Sequence, residues 1–349
     1  MEAKYNLVFN LPGSIQRLPL HAGVLKACIE LDLTPDEILA SSSGGMASSA
    51  FIGWDEKSSA RGIRSISNLS PDQVFSFHRG LKIKLASLGI ATVGLGALVL
   101  FDHKLSRGKK VVLGLAGLAT LLATDAVVGN ELIHSQSHLS PGPLRELLQD
   151  KDKGLDFNTI FNSPIRLGII VADESKPGEV IFYNHYSLNS DPDNPAHRER
   201  WLNILLASAR IPGKFPFIRI DGVDTVDGEV WTDFPIRQMK RFRKIIRFDY
   251  WPPLQPAPPP TGWISDTMRS FDIMRDRCTQ KKIEYYELER KSNPELPEIY
   301  YVRLNPELMK LVPHIQLHNF TPDNMKKLED IGYAAIMEQK DEIRQYLEM

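Results

Sequence analysis

The sequence predicts an α/β protein with a mostly parallel central sheet flanked by helices, and three observations carry that prediction. Short apolar runs alternate with helix-like stretches from the start of the chain, the pattern of a parallel sheet covered by crossovers. Glycine and proline punctuate those runs, as at Pro12-Gly13 and Lys176-Pro177-Gly178, where the backbone must turn. A chain of 349 residues, 42% hydrophobic, also has enough apolar surface to fill one large α/β core or two ordinary ones.

Residues 5–11 (YNLVFNL) read as a strand ended by Pro12-Gly13, and apolar residues at helical spacing follow from Leu20 to Leu31. Residues 36–41 read as a second strand, and Ser42-Ser43-Gly44-Gly45 then open a helix of small residues suited to lying against a sheet. Further strands are predicted at 165–172, 180–183 and 244–249, with a helix at 199–209. The run PPLQPAPPP over 252–260 is a polyproline-type connector. A long charged helix follows from about Ser265 to Lys291, and a last helix begins at Thr321-Pro322-Asp323 with Thr321 as its cap.

Bulk composition excludes several classes. Lys and Arg total 42 against 43 acidic residues, so no nucleic-acid partner is expected and any attraction to anions must come from local clusters. Cys28 and Cys278 make neither a metal pattern nor a disulfide framework, and free thiols suit a reducing compartment. Phosphate-loop and zinc patterns are absent from the sequence, so no cofactor or metal is expected. The first residues carry no charged-then-apolar leader, which makes the cytoplasm the expected compartment.

One segment departs from this globular pattern. Leu85–Phe101 carries no charge, a basic loop DHKLSRGKK follows, and Val111–Thr124 is again apolar. Neither run has a polar face. The first would be roughly 25 Å long as a helix, against about 30 Å of bilayer hydrocarbon. The expectation is a hairpin that associates with or inserts into a membrane through residues about 85–124, spanning or lying in it. Arg79, Lys82 and Lys84 and the basic loop would face anionic headgroups. A buried or oligomer-forming helical pair is the other reading.

Chemistry enters at Ala40-Ser41-Ser42-Ser43-Gly44. A serine at a sharp strand-to-helix turn stands clear of the sheet, with the next backbone N–H facing a developing oxyanion. Small residues two before and two after let the turn close, here Ala40 and Gly44. Serine-rich turns are also common as plain helix caps, so the pentapeptide alone leaves both readings open.

Context extends the pattern. LPGSIQRLPLHAGVLKACIELDL with ILASSSGGM, and later ASARIPGKFPFIRIDGVDTVDGEVWTDFPI, resemble the two catalytic blocks of the patatin-like phospholipases. The resemblance implies a three-layer patatin-like fold, with the apolar helical hairpin as an insertion near 80–130. It implies a catalytic domain over 1–251, the connector at 252–262, and a C-terminal helical region at 263–349 packed on that domain. It implies a Ser42–Asp227 dyad that forms an acyl-enzyme on lipid esters, without metal. Backbone N–H groups of Gly13, Ser14, Ile15 and Ser43 would form the oxyanion hole. Arg17, Ala40, Gly44 and Gly228 would support the motif. Asp221-Gly222 is a decoy, because only Asp227 leads into the Phe-Pro ending.

Three features qualify the expected activity. Ser14 and Ile15 stand where the family has glycines, and Glu229 stands where it has a small residue. Glu229 would bring a second carboxylate near Asp227 and raise its pKa. His21 is expected to be structural, and Arg17 to serve an ion pair or cap. Arg237, Lys240, Arg241, Arg243, Lys244 and Arg247 crowd one short stretch and are candidates for docking on anionic lipid. The function expected is a membrane-associated phospholipase A or lysophospholipase, alone, as a homo-oligomer or under an activating partner. The alternatives are a catalytically impaired lipid- or partner-binding fold and a hydrolase of soluble acyl esters.

Overall fold

The computed structural model describes residues 5–13, 17–67, 69, 76–77, 139–176, 179–184, 191–210, 215, 218–231, 234–249, 263–305, 307 and 321–348. Ser14, Ile15, the apolar segment 85–124 and the connector 252–262 lie outside them. Contacts divide the chain into two units, one of Met1–Val74, Leu144–Ile211 and Phe217–Met349, the other of Phe75–Pro143 and Pro212–Pro216.

In chain order the first elements are β1 (Tyr5–Leu11), α1 (Arg17–Glu30), β2 (Glu37–Ser41), α2 (Ser42–Phe51) and α3 (Glu56–Ser67). In the smaller unit, β3 (Ser76–Phe77) pairs antiparallel with β4 (Leu139–Ser140). Next come α4 (Gly142–Gln149), α5 (Phe157–Asn162), β5 (Arg166–Asp173), β6 (Glu179–Tyr183) and α6 (Pro195–Ser208). The chain continues through β7 (Ile218–Ile220), β8 (Val223–Asp227), a 3-10 turn at Gly228–Val230, α7 (Ile236–Met239) and β9 (Phe242–Phe248). It closes with α8 (Trp263–Ser292), β10 (Glu298–Val302), α9 (Pro322–Glu338) and α10 (Lys340–Leu347).

The sheet of the larger unit has the order β10-β9-β1-β2-β5-β8-β7, with β6 also on β5. The pairings from β10 to β5 are all parallel, and those of β6, β7 and β8 are antiparallel. The sheet is therefore mixed and mostly parallel, as expected. Residues of β1, β2 and β5 are almost wholly buried, which explains why they read as continuous apolar runs.

The C-terminal region corrects an expectation. It is not only helical, because β10 joins the sheet beside β9 through Ile299↔Ile245 and its neighbours. Helix α9 packs on α1 through two glycines. A Cβ on Gly23 would overlap the Glu329 carbonyl, and one on Gly332 would overlap that of Leu20. This close approach explains why α1 is buried on almost every face. The cap read at Thr321 is present, its hydroxyl accepting from the Asn324 N–H at 3.3 Å.

The topology around β5 positions the site. A strand has two edges, yet β5 pairs with three strands. β6 covers Gly168 to Ala172, overlapping both the residues held by β2 and those held by β8. β2 and β8 must therefore share the opposite edge, in succession. Ser41 is the last residue of β2 on that edge, opposite Ile170. Asp227 arrives from β8 at the next position, opposite Val171.

Candidate active site

Ser42 sits where β2 turns into α2. Ser41 is extended (φ −123, ψ 153), and Ser42 is left-handed at φ 49, a conformation that costs a non-glycine residue about 1–2 kcal/mol. Hydrogen bonding offsets that cost. The Ser42 N–H donates to Ser208 Oγ at 2.8 Å, and the Ser208 hydroxyl donates to the Ile170 carbonyl at 2.7 Å. Ser208 is fully buried at the end of α6, so it ties the elbow to the strand beside it. Gly44 lies so close to Leu11 that a Cβ would meet the Leu11 carbonyl, which is why a small residue is required two positions after the serine.

Asp227 is 6% exposed. Its N–H donates to the Arg210 carbonyl at 3.0 Å, and its Oδ1 accepts from the Glu229 N–H at 3.0 Å. The carboxylate thereby caps the 3-10 turn that follows it. Gly228 lies against β5, where a Cβ would sit 2.7 Å from Ile170 Cγ2 and from its carbonyl oxygen. The Asp-Gly pair thus lets β8 end flush against β5 and holds Asp227 at the strand end. Strand alternation sends Ser41 to the face of Ile170 and Asp227, one position further along β5, to the other face.

Gly13 completes the cluster. A Cβ on Gly13 would overlap Ser42 Cβ and lie 2.6 Å from Glu229 Oε1. Its N–H donates to Glu229 Oε1, which also accepts from the Ser41 hydroxyl at 3.1 Å. Glu229 is 8% exposed. Its carboxylate reaches past the sheet to Gly13 and Ser41, a placement that reading it only as Asp227's neighbour did not reveal. Of the predicted oxyanion loop only Gly13 is described.

His21 and Arg17 support this loop from α1. His21 is fully buried, and its Nε2 lies 2.7 Å from the Pro12 carbonyl. A carbonyl only accepts, so Nε2 carries the proton. Burial drives the His21 pKa down to about 3, reinforced by Arg17 and opposed by the Pro12 bond. The ring is a neutral strut under Pro12-Gly13. Arg17 is 3% exposed at the first turn of α1.

The basic cluster needs correction. Arg247 is 1% exposed, donates to Asn10 Oδ1 at 2.5 Å and stacks on Phe234, so it is a core residue. Arg241 donates to both carboxylate oxygens of buried Glu37 at 2.6 Å. Glu37's pKa is raised by burial, against the pull of Arg241 and Arg166. Lys240 pairs with Glu289, and Lys244 bonds the Tyr346 carbonyl and Glu348. Arg237 and Arg243 remain exposed. Phe242 pairs with Tyr5 at the start of β1, which puts Arg241 and Arg243 at the opposite end of the sheet from Ser42, whereas Arg247 lies opposite Asn10 toward the Ser42 end. Asp221 is no catalytic candidate either. With Gly222 it forms the two-residue turn between β7 and β8, both at positive φ, and Arg200 holds its carboxylate.

The fold and site together define an α/β protein with a serine at a strained strand-to-helix elbow, the arrangement that serine acyl hydrolases use. The family model for patatin-like phospholipase matches residues 11–240, well over half the chain, and the protein belongs to that family. Lipid acyl hydrolysis is therefore its general class of activity. Among solved structures, the chain is similar to VipD from Legionella pneumophila, at 12% identity and a TM-score of 0.39 over 99% of this chain and 67% of that one. No curated protein matches it.

Proposed function

We propose that the protein is a membrane-associated phospholipase A or lysophospholipase that works through Ser42 and Asp227. The observation that carries this reading is the succession on one edge of β5, with Ser41 opposite Ile170 and Asp227 opposite Val171. Two chain segments remote in sequence thereby end at neighbouring positions, Ser42 following the one and Asp227 closing the other, which supports their pairing. Asp227 accepts the Ser42 proton as Oγ attacks the ester carbonyl. The protonated carboxyl then delivers that proton to the departing alcohol, and water hydrolyses the acyl-enzyme. Ser42's own N–H is committed to Ser208. The oxyanion falls instead to Gly13 and to Ser43 at the start of α2, with Ser14 and Ile15 as further donors.

The apolar segment 85–124 is the membrane-contacting element in this reading. Among the described residues no helix is long and apolar enough to cross a membrane, and 85–124 lies outside them. A second reading, an impaired fold that binds lipid or a partner, is favoured by the Glu229 carboxylate on the Gly13 N–H.

Fatty-acid release from mixed phospholipid vesicles separates the two. Wild type releases fatty acid, Ser42→Ala is slower by on the order of 10⁴-fold or more, and Asp227→Asn by on the order of 10²- to 10⁴-fold. Vesicle binding without release by any of the three proteins selects the binding reading.

A further inference from the structure

Glu229 carries an inference beyond the dyad, one that rests on the proposed hydrolase reading. Its Oε1 accepts from the Gly13 N–H and from the Ser41 hydroxyl. Gly13 is in contact with the nucleophile, since a Cβ there would touch both Ser42 Cβ and the Glu229 carboxyl group. A carboxylate oxygen on a backbone N–H beside the attacking serine occupies the place that a tetrahedral oxyanion needs. We infer that Glu229 is a built-in competitor for the oxyanion site, which substrate must displace before Ser42 can react.

The chemistry sets the sign. A hydrogen bond to a carboxylate is stronger than one to a neutral ester carbonyl, so Gly13 favours Glu229 over the incoming substrate. The negative oxygen would also repel the charge that develops at the same point. Glu229 is anchored for this role, because its own N–H donates to Asp227 Oδ1 and fixes the base of its side chain. Retreat of the side chain frees the Gly13 N–H and leaves the Asp227 contact in place, so the competitor and the proposed base separate at the level of one rotamer.

The test is the rate at which a fluorophosphonate probe labels Ser42 in the full chain. Oγ forms a bond to phosphorus, the P–F bond breaks, fluoride leaves and the serine proton passes to Asp227; the phosphoryl oxygen draws on the same N–H groups as a substrate. Glu229→Ala labels about 10- to 100-fold faster than wild type, the range that gaining one oxyanion donor implies. Glu229→Gln keeps the side chain's volume and removes its charge; it labels at an intermediate rate and guards against a folding defect in the alanine variant. Ser42→Ala in the Glu229→Ala background takes up no probe. Unchanged or slower labelling in both folded Glu229 variants, with wild type labelled, overturns the competitor and leaves the hydrolase reading standing. Labelling of none of the proteins overturns both.

Discussion

His21 shows how one side chain connects stability to the site. It is neutral, buried and bonded to the Pro12 carbonyl, one residue from Gly13. The unfolded ring takes up a proton near pH 6.5, while the folded one resists until about 3. Above pH 6.5 both states are neutral and His21 adds no pH dependence; acidification below it favours the unfolded chain. Each pH unit inside that window costs about 1.4 kcal/mol. Denaturant titrations at pH 6.5 and 5 should show wild type losing roughly 2 kcal/mol more than His21→Gln, whose side chain keeps a donor for Pro12 without titrating. Equal losses would mean that the ring is not held neutral. The site residues themselves were partly legible in sequence. Ser42, Asp227 and Gly228 stand in motifs with fixed spacing, whereas the reach of Glu229 to Gly13 joins residues at opposite ends of the sequence blocks, and no local pattern encodes it.

At the scale of elements, the helices and strands with strong periodicity or dense apolar runs were readable, and those depending on long-range partners were not. β1 falls where YNLVFNL predicts it, and α9 starts at its predicted cap. β10 (EIYYV) has little signal of its own in the sequence, because it is a short edge strand after a long charged helix. The basic stretch misled for a related reason: linear charge density does not say which side chains a strand turns inward, and β9 buries Arg247 while exposing Arg243. The α1–α9 contact gives an element-scale prediction. Gly23→Ala forces a methyl group into the Glu329 carbonyl, and overpacking of this kind costs about 1–3 kcal/mol. Thermal unfolding should show the loss, while exposed Arg243→Ala should leave the midpoint almost unchanged. A neutral Gly23→Ala would contradict the close approach of these helices.

For the whole molecule, the organising fact is that one edge of β5 serves two strands. β2 leaves it at Ser41 and β8 takes it over at Asp227, so the fold brings the ends of these two strands to successive positions. In the proposed reading the smaller unit bears on delivery to substrate. Ser76 pairs with Ser140, which holds the chain ends flanking residues 78–138 side by side. Replacement of 85–124 by a short glycine-serine linker should therefore be tolerated. In the proposed reading that variant loses co-flotation with anionic vesicles and keeps its rate on a short-chain soluble ester. Undiminished flotation would remove the membrane role from the segment.

The central claim is that Ser42 forms an acyl-enzyme with help from Asp227. Intact-protein and peptide mass spectrometry, after rapid mixing with a p-nitrophenyl acyl ester and acid quenching, tests it most directly. The account predicts a mass increase equal to the acyl group, confined to the peptide containing Ser42, absent in Ser42→Ala and slow to appear in Asp227→Asn. Ester turnover by Ser42→Ala at the wild-type rate, or an adduct on another residue, would contradict it.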